Sequence, residues 1–184
     1  MTAALTRLKP VWNDGSITLT SMIRLMRSLV SSIFLYACES WTLTARLQRR
    51  IRAKEMRCYR RILRIPYQDY VTNEEVCAKI QQTIRSHEYL LKIVKRRKLK
   101  WYGHVFRSPG LAKTSLRGKM KGGRRQGRQR KRWEVNVRKW TGLEFAKSQR
   151  AVENSEKWRK LVVKSSVVPQ RPSRLWNRWD ERDE

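Results

Sequence analysis

Lys95-Arg96-Arg97-Lys98-Leu99-Lys100-Trp101-Tyr102-Gly103-His104-Val105-Phe106-Arg107 decides how the chain folds, because two patterns run through it together. Leu90, Val94, Trp101 and Val105 return at helical steps on one side, with Leu91 and Tyr102 beside them. Arg96, Lys100 and Arg107 fall on the opposite side. The spacing predicts an amphipathic helix from Ile84 to Arg107, with Trp101 in the core and cations toward solvent. His104 sits near Lys100 in angle. No carboxylate or cysteine is spaced to make it a base or a ligand, so it reads as exposed.

Downstream the composition changes. Ser108-Pro109-Gly110 ends the helix, and Leu111 to Met120 has room for a short helix or strand. Then comes Gly122-Gly123-Arg124-Arg125-Gln126-Gly127-Arg128-Gln129-Arg130-Lys131-Arg132-Trp133. Gly, Gln and Arg in that proportion cannot build a core, which predicts a flexible basic arm. Arg124, Arg125, Arg128, Arg130, Lys131 and Arg132 are suited to grip phosphates bidentately and to stack on bases. A nuclear-import signal is a compatible second role.

No Asp or Glu occurs between Tyr89 and Trp133. The whole chain of 184 residues carries 44 Lys and Arg against 15 Asp and Glu, a net charge of +29. Such a chain repels itself unless a polyanion is near, and nucleic acid is the commonest large polyanion in a cell. RNA and/or DNA are therefore the expected partners. A membrane is not, since the most apolar stretch, Leu29 to Cys38, is far shorter than the ~20 residues a spanning helix needs. Cys38, Cys58 and Cys77 form no C-x-x-C pair, so neither a disulfide framework nor a zinc site is indicated. Reduced thiols point to a reducing compartment, the nucleus or cytoplasm.

Upstream, Pro10 and the Asn13-Asp14-Gly15 turn predict an irregular lead-in. Ser16 or Thr18 then caps a helix to Tyr36. Thr42 or Thr44 starts a second helix that stops at Arg64, before Pro66. At about 100° per residue, Leu47, Ile51, Cys58 and Ile62 lie within about 60° of one another. Arg46, Arg49, Arg50, Lys54, Arg57, Arg60, Arg61 and Arg64 occupy a separate arc of about 140°, and only Arg52 strays. Glu55 is the single acid on this helix, so salt bridges within it do not account for the cationic face. Phosphate contact does; a merely solvated face is the alternative. Thr72-Asn73-Glu74-Glu75 opens a third helix, running to Ile80, with acids where the helix dipole favours them. Trp133, Val137 and Trp140 predict a helix over Lys131–Thr141, and Leu143–Arg150 and Asn154–Lys164 look helical again. The expected fold class is all-α, a small helical bundle of about five to seven helices. Its expected organisation is an irregular lead-in (1–15), a helical domain (16–107), a basic Gly/Arg arm (108–130), C-terminal helices (131–165) and a disordered tail (166–184).

Four stretches add a family resemblance. Leu35-Tyr36-Ala37-Cys38-Glu39-Ser40-Trp41 resembles L-Y-x-x-E-x-W. Arg97-Lys98-Leu99-Lys100-Trp101-Tyr102-Gly103-His104-Val105 resembles R-R-L-x-W-x-G-H-V. Gly127-Arg128-Gln129-Arg130-Lys131-Arg132-Trp133 resembles G-R-P-R-x-R-W, with Gln129 in place of the proline. Trp158-Arg159-Lys160-Leu161-Val162 resembles a closing W-R-x-L-V. In that order they resemble the C-terminal part of non-LTR (LINE-like) retrotransposon endonuclease-reverse transcriptases, over Leu5 to Val168. The resemblance implies the thumb and the segment after it, which help hold template RNA and target DNA during target-primed reverse transcription.

The family's aromatic-x-Asp-Asp palm motif, its endonuclease domain and the Cys-Cys-His-Cys knuckle of some relatives are missing from this sequence. Two-metal nucleotidyl transfer needs clustered carboxylates, and Asp14, Asp69, Asp180 and Asp183 are isolated or lie in the tail. The expectation is a non-catalytic nucleic-acid-binding fragment with no cofactor, no metal and no catalytic residue. Two alternatives stand beside it. One is a degenerate retrotransposon-derived protein with no selected role. The other is part of an RNA-directed DNA polymerase whose active site lies upstream.

Overall fold

A computed structural model describes residues 6–84, 87–117 and 133–166, which form helices joined by turns, with no strand among them. The all-α expectation holds. The chain divides into two compact units, each discontinuous in sequence: Met1–Cys38 with Gln48–Leu91, and Glu39–Leu47 with Lys92–Glu184. Two of the three divisions fall inside long helices, at Leu47/Gln48 and Leu91/Lys92, and the third lies in the turn at Cys38/Glu39. The expected flexibility of the arm from 118 onward and the disordered tail from 167 lie outside the described residues.

The first unit starts with a correction. The expected irregular lead-in contains a helical turn, α1 (Lys9–Asn13), and Trp12 in it is 1% exposed in the core. Pro10 fits because the first turn of a helix does not need its missing N–H. Asp14 Oδ1 then accepts from Ser16 N at 2.8 Å, and Thr18 caps α2 (Leu19–Leu25) by accepting from Ser21 N at 3.3 Å. The helix continues through a π-helical stretch, Met26–Ser31, into α3 (Ser32–Leu35).

Met22, Ile23, Met26 and Val30 pack with Cys58, Tyr59 and Ile62 of α4 (Ala45–Ile62) and with Val76 and Ile80 of α5 (Asn73–Thr83). Helix α5 opens on the expected Thr72 cap, here a full capping box with Glu75. It runs one turn past Ile80, to Thr83.

The end of α4 explains how α1 is held. Ile65 N donates to Arg60 O at 2.9 Å and Arg64 N to Arg61 O at 3.3 Å, a Schellman turn that leaves Arg64 at φ 54. Glycine usually takes that left-handed position, since a side chain there costs roughly 1 kcal/mol or more. Arg64 offsets this with its guanidinium. Nε donates to Trp12 O at 3.3 Å and Nη2 to Asp14 O at 3.0 Å, a cation on the carbonyls that end α1.

The second unit is built on α6 (Leu90–Arg107, from Lys92 onward), α8 (Trp133–Thr141), α9 (Phe145–Glu153) and α10 (Ser155–Ser165), with α7 (Leu111–Arg117) between the first two in sequence. Leu99, Tyr102, Phe106, Val137, Val152, Trp158 and Val162 form its core. Residues from the four stretches of the resemblance meet here. Lys98, fully buried at 0% exposure, donates Nζ to Glu39 O and Trp41 O. Trp133 Nε1 donates to Glu39 O at 2.9 Å and its ring stacks on Tyr102. Trp101, expected in the core, is half-buried with its ring edge-on to Trp133. Trp158 Nε1 donates to Leu99 O at 3.0 Å.

Gly103 permits that last bond. A Cβ there would meet Trp158 Cδ1 at 2.6 Å and press on Nε1 as well. Glycine inside a helix is disfavoured by about 1 kcal/mol relative to alanine, so the indole contact gives its presence a physical reason. Gly103→Ala is expected to lower stability by about 1–3 kcal/mol, because overpacking outweighs the gain in helix propensity. Urea unfolding followed by tryptophan fluorescence checks this; a stabilised variant would contradict the packing account.

Candidate nucleic-acid interface

Helix α4 carries the clearest cationic surface. Its inner face is Ile51, Glu55, Cys58, Tyr59 and Ile62, all buried. Arg50, Arg57 and Arg61 are exposed, and their side chains make no hydrogen bond or ion pair with the described residues. At about 100° per residue they fall within about 40° of one another, along ~16 Å of helix at 1.5 Å per residue. Three aligned guanidinium groups with donors to spare are a fit for successive phosphates. Arg49 is exposed about 80° around the helix from this strip. Arg46 is exposed in the first turn of α4, within the Glu39–Leu47 part of the second unit.

Two expected phosphate contacts already have structural work. Arg60 is half-buried, and its Nη2 donates to Val71 O at 2.7 Å and Asn73 Oδ1 at 3.0 Å, holding the loop before α5. Arg64 anchors α1 as described.

In the second unit, Lys100 is exposed and Arg96 half-buried on α6. Arg107 is exposed, yet its Nη1 donates to Val152 O at 3.2 Å, tying the end of α6 to α9. His104 is exposed, as expected. Lys95 and Lys98 belong to the packing: Lys95 Nζ lies 5.6 Å from the Trp140 ring centre and Lys98 Nζ 4.9 Å from that of Trp133. Arg124, Arg125, Arg128, Arg130, Lys131 and Arg132 lie outside the described residues.

Sequence reasoning missed what lies behind the strip. Glu55 is 2% exposed; its Oε1 accepts from Tyr59 Oη at 2.7 Å and from Leu90 N at 2.8 Å. Tyr59 Oη lies 2.7 Å from His87 Nε2, and His87 Nδ1 lies 3.1 Å from Arg27 Nη2. Tyr59 has one proton and gives it to Glu55, so it accepts from Nε2–H of His87, whose bare Nδ1 accepts from Arg27. Every donor in the chain points toward Glu55. The single acid of α4 is therefore turned away from the arginines and caps the first N–H of α6 instead. That explains why α6 starts at Leu90 rather than at the expected Ile84, which stands extended at φ -130 and ψ 103. A glutamate preceded by Arg52 and Lys54 gave no sequence signal for burial, but Tyr59 four residues on is at the spacing that brings the two together.

Burial raises Glu55 from 4.5 to about 7, despite its hydrogen bonds from Leu90 and Tyr59 and the nearby charges of Arg52 and Arg27. Burial, with Arg27 alongside, lowers His87 from 6.5 to about 4. Burial likewise raises Tyr59 above the usual phenol range, Glu55 adding to it, and pushes the Cys58 thiol up to about 11. The signs for stability oppose. Native Glu55 holds its proton more tightly than the unfolded chain, so its contribution is full below 4.5 and is lost as pH rises through about 7. Native His87 holds its proton less tightly, so its contribution is full above 6.5 and is lost as pH falls through about 4. The two offset each other across the shared window. Glu55→Gln keeps an acceptor for Leu90 and Tyr59 but removes the first effect. Urea midpoints of that variant are expected to fall steadily from pH 6.5 to 4, while those of the unmodified chain change less.

The three cysteines form no disulfide. Among the described residues, no group of three or more His, Cys, Asp or Glu is placed to hold a metal ion, and no helix is long and apolar enough to cross a membrane. Comparison with protein-family models, curated proteins and solved structures finds no match to this chain.

Proposed function

We propose that this chain is a non-catalytic nucleic-acid-binding module, resembling the thumb and post-thumb region of a non-LTR retrotransposon reverse transcriptase, that grips phosphates through arginine faces and an arginine-rich arm. The observation that carries the reading is the separation of charge on α4: the Arg50, Arg57 and Arg61 side chains are exposed with no hydrogen-bond or ion-pair partner among the described residues, while Glu55, the helix's only acid, is buried. Arg57 and Arg61 are also one turn apart, a like-charge pair that destabilises an isolated helix by roughly 0.2–0.5 kcal/mol. A surface that opposes its own folding is consistent with selection for a polyanionic partner. The net charge of +29 supports the same class of partner, RNA or DNA. The resemblance supports RNA template and target DNA as its form, in the nucleus or cytoplasm. The arm residues from Arg124 to Arg132 add to the grip in this reading.

Filter binding across a salt series tests it. Log affinity should fall linearly with log salt, losing close to one phosphate's worth of slope for each arginine removed. The triple variant Arg50→Ala, Arg57→Ala, Arg61→Ala is expected to bind more weakly, with a shallower salt slope. It should also unfold at equal or higher urea, because like charges are removed and alanine is the better helix former. Affinity indifferent to salt would sink the reading. Primer extension with Mg²⁺ separates it from a polymerase; no extension is expected.

A further inference from the structure

Tyr70 is 87% exposed and stands at φ 50, a left-handed backbone that a bulky residue rarely takes. Its side chain makes no hydrogen bond or ring contact with the described residues. The loop around it is nevertheless firmly built. Asp69 N donates to Pro66 O at 3.4 Å, closing the turn before it. After it, Val71 packs against the core of the first unit, and its carbonyl accepts from Arg60 Nη2 at 2.7 Å. Thr72 then closes the capping box of α5. Backbone strain is thus spent on turning an aromatic ring outward from a fixed loop. The residue that fixes the loop, Arg60, is next to Arg61 in sequence and one helical turn from Arg57. The loop that carries Tyr70 is thus tied, through Arg60 and Val71, to the helix that carries the arginine strip, within the same unit. Tyr36 is exposed too, but it follows exposed Leu29 and Ile33 on an apolar segment rather than a cationic one.

Exposed aromatic faces beside cations that track a backbone are the elements by which proteins hold single strands, because every unpaired base offers a π-face. In a duplex those faces are already stacked. We propose that Tyr70 is a stacking platform for an unpaired base of a single-stranded nucleic acid whose phosphates lie along Arg57 and Arg61. The inference rests on the nucleic-acid-binding reading and adds the strandedness of the ligand.

Fluorescence anisotropy with the full chain tests it, using short labelled RNA and DNA single strands and a duplex of the same sequence. Tyr70→Ala should weaken single-strand binding about 5- to 100-fold and leave duplex binding unchanged, while Tyr70→Phe should retain both. A loss confined to the RNA arm or to the DNA arm supports the proposal and names the strand. The pair Arg57→Ala, Arg61→Ala should weaken binding to all three. If Tyr70→Ala binds single strands like the unmodified chain while the arginine pair loses affinity, stacking is overturned and the phosphate grip stands. An equal loss on the duplex overturns stacking as well. If the unmodified chain binds none of the three, both readings fall together.

Discussion

The stretch Glu39–Leu43 belongs to no helix, and the second unit depends on how its backbone groups are satisfied. A buried carbonyl without a donor costs about 1–3 kcal/mol. Lys98 and Trp133 both donate to Glu39 O, and Lys98 also to Trp41 O. With its amide oriented so that both groups are satisfied, Asn136 donates to Leu43 O and accepts from Leu43 N, each at 2.9 Å. Irregular backbone thus finds in side chains the partners a helix would have supplied. The lysine ammonium is suited to this, since it offers three donors on a long apolar stem that packs along the core. No buried side-chain nitrogen or oxygen is left unpaired among the described residues.

The first unit solves the same problem with Arg64 on the ends of α1 and Glu55 on the start of α6. In both units a charged side chain is drawn inward to finish a helix or a turn. This separates the cations of a chain with 44 lysines and arginines into two populations. Arg60, Arg64, Lys95, Lys98 and Arg107 hold structure. Arg50, Arg57 and Arg61 hold none among the described residues, and a binding surface is read from that second population.

Much of the architecture was legible from spacing. Thr18 and Thr72 cap where their side chains predict, and the inner face of α4 contains the expected Ile51, Cys58 and Ile62. Local signals failed where a distant partner intervened. The Pro10 to Gly15 composition reads as loop, yet Trp12 supplies enough apolar area to fold its turn onto the core. Ile84 to Tyr89 reads as helix, yet Glu55 caps the helix only at Leu90. Lys98 reads as one more surface cation in a basic run.

The sequence by itself determined the helical class, the excess of positive charge and its segregation along α4, because each follows from residue type and a fixed angular step. Tertiary structure alone decided which cations are consumed by the fold. A charged group's role depends on which unsatisfied backbone atoms come within its reach, and those atoms arrive from far along the chain. Lys98 meets Glu39 across 59 residues and Arg64 meets Trp12 across 52. No periodicity records such meetings. The basic run from Lys95 to Arg107 is, at Lys95 and Lys98, buried in the packing of the second unit.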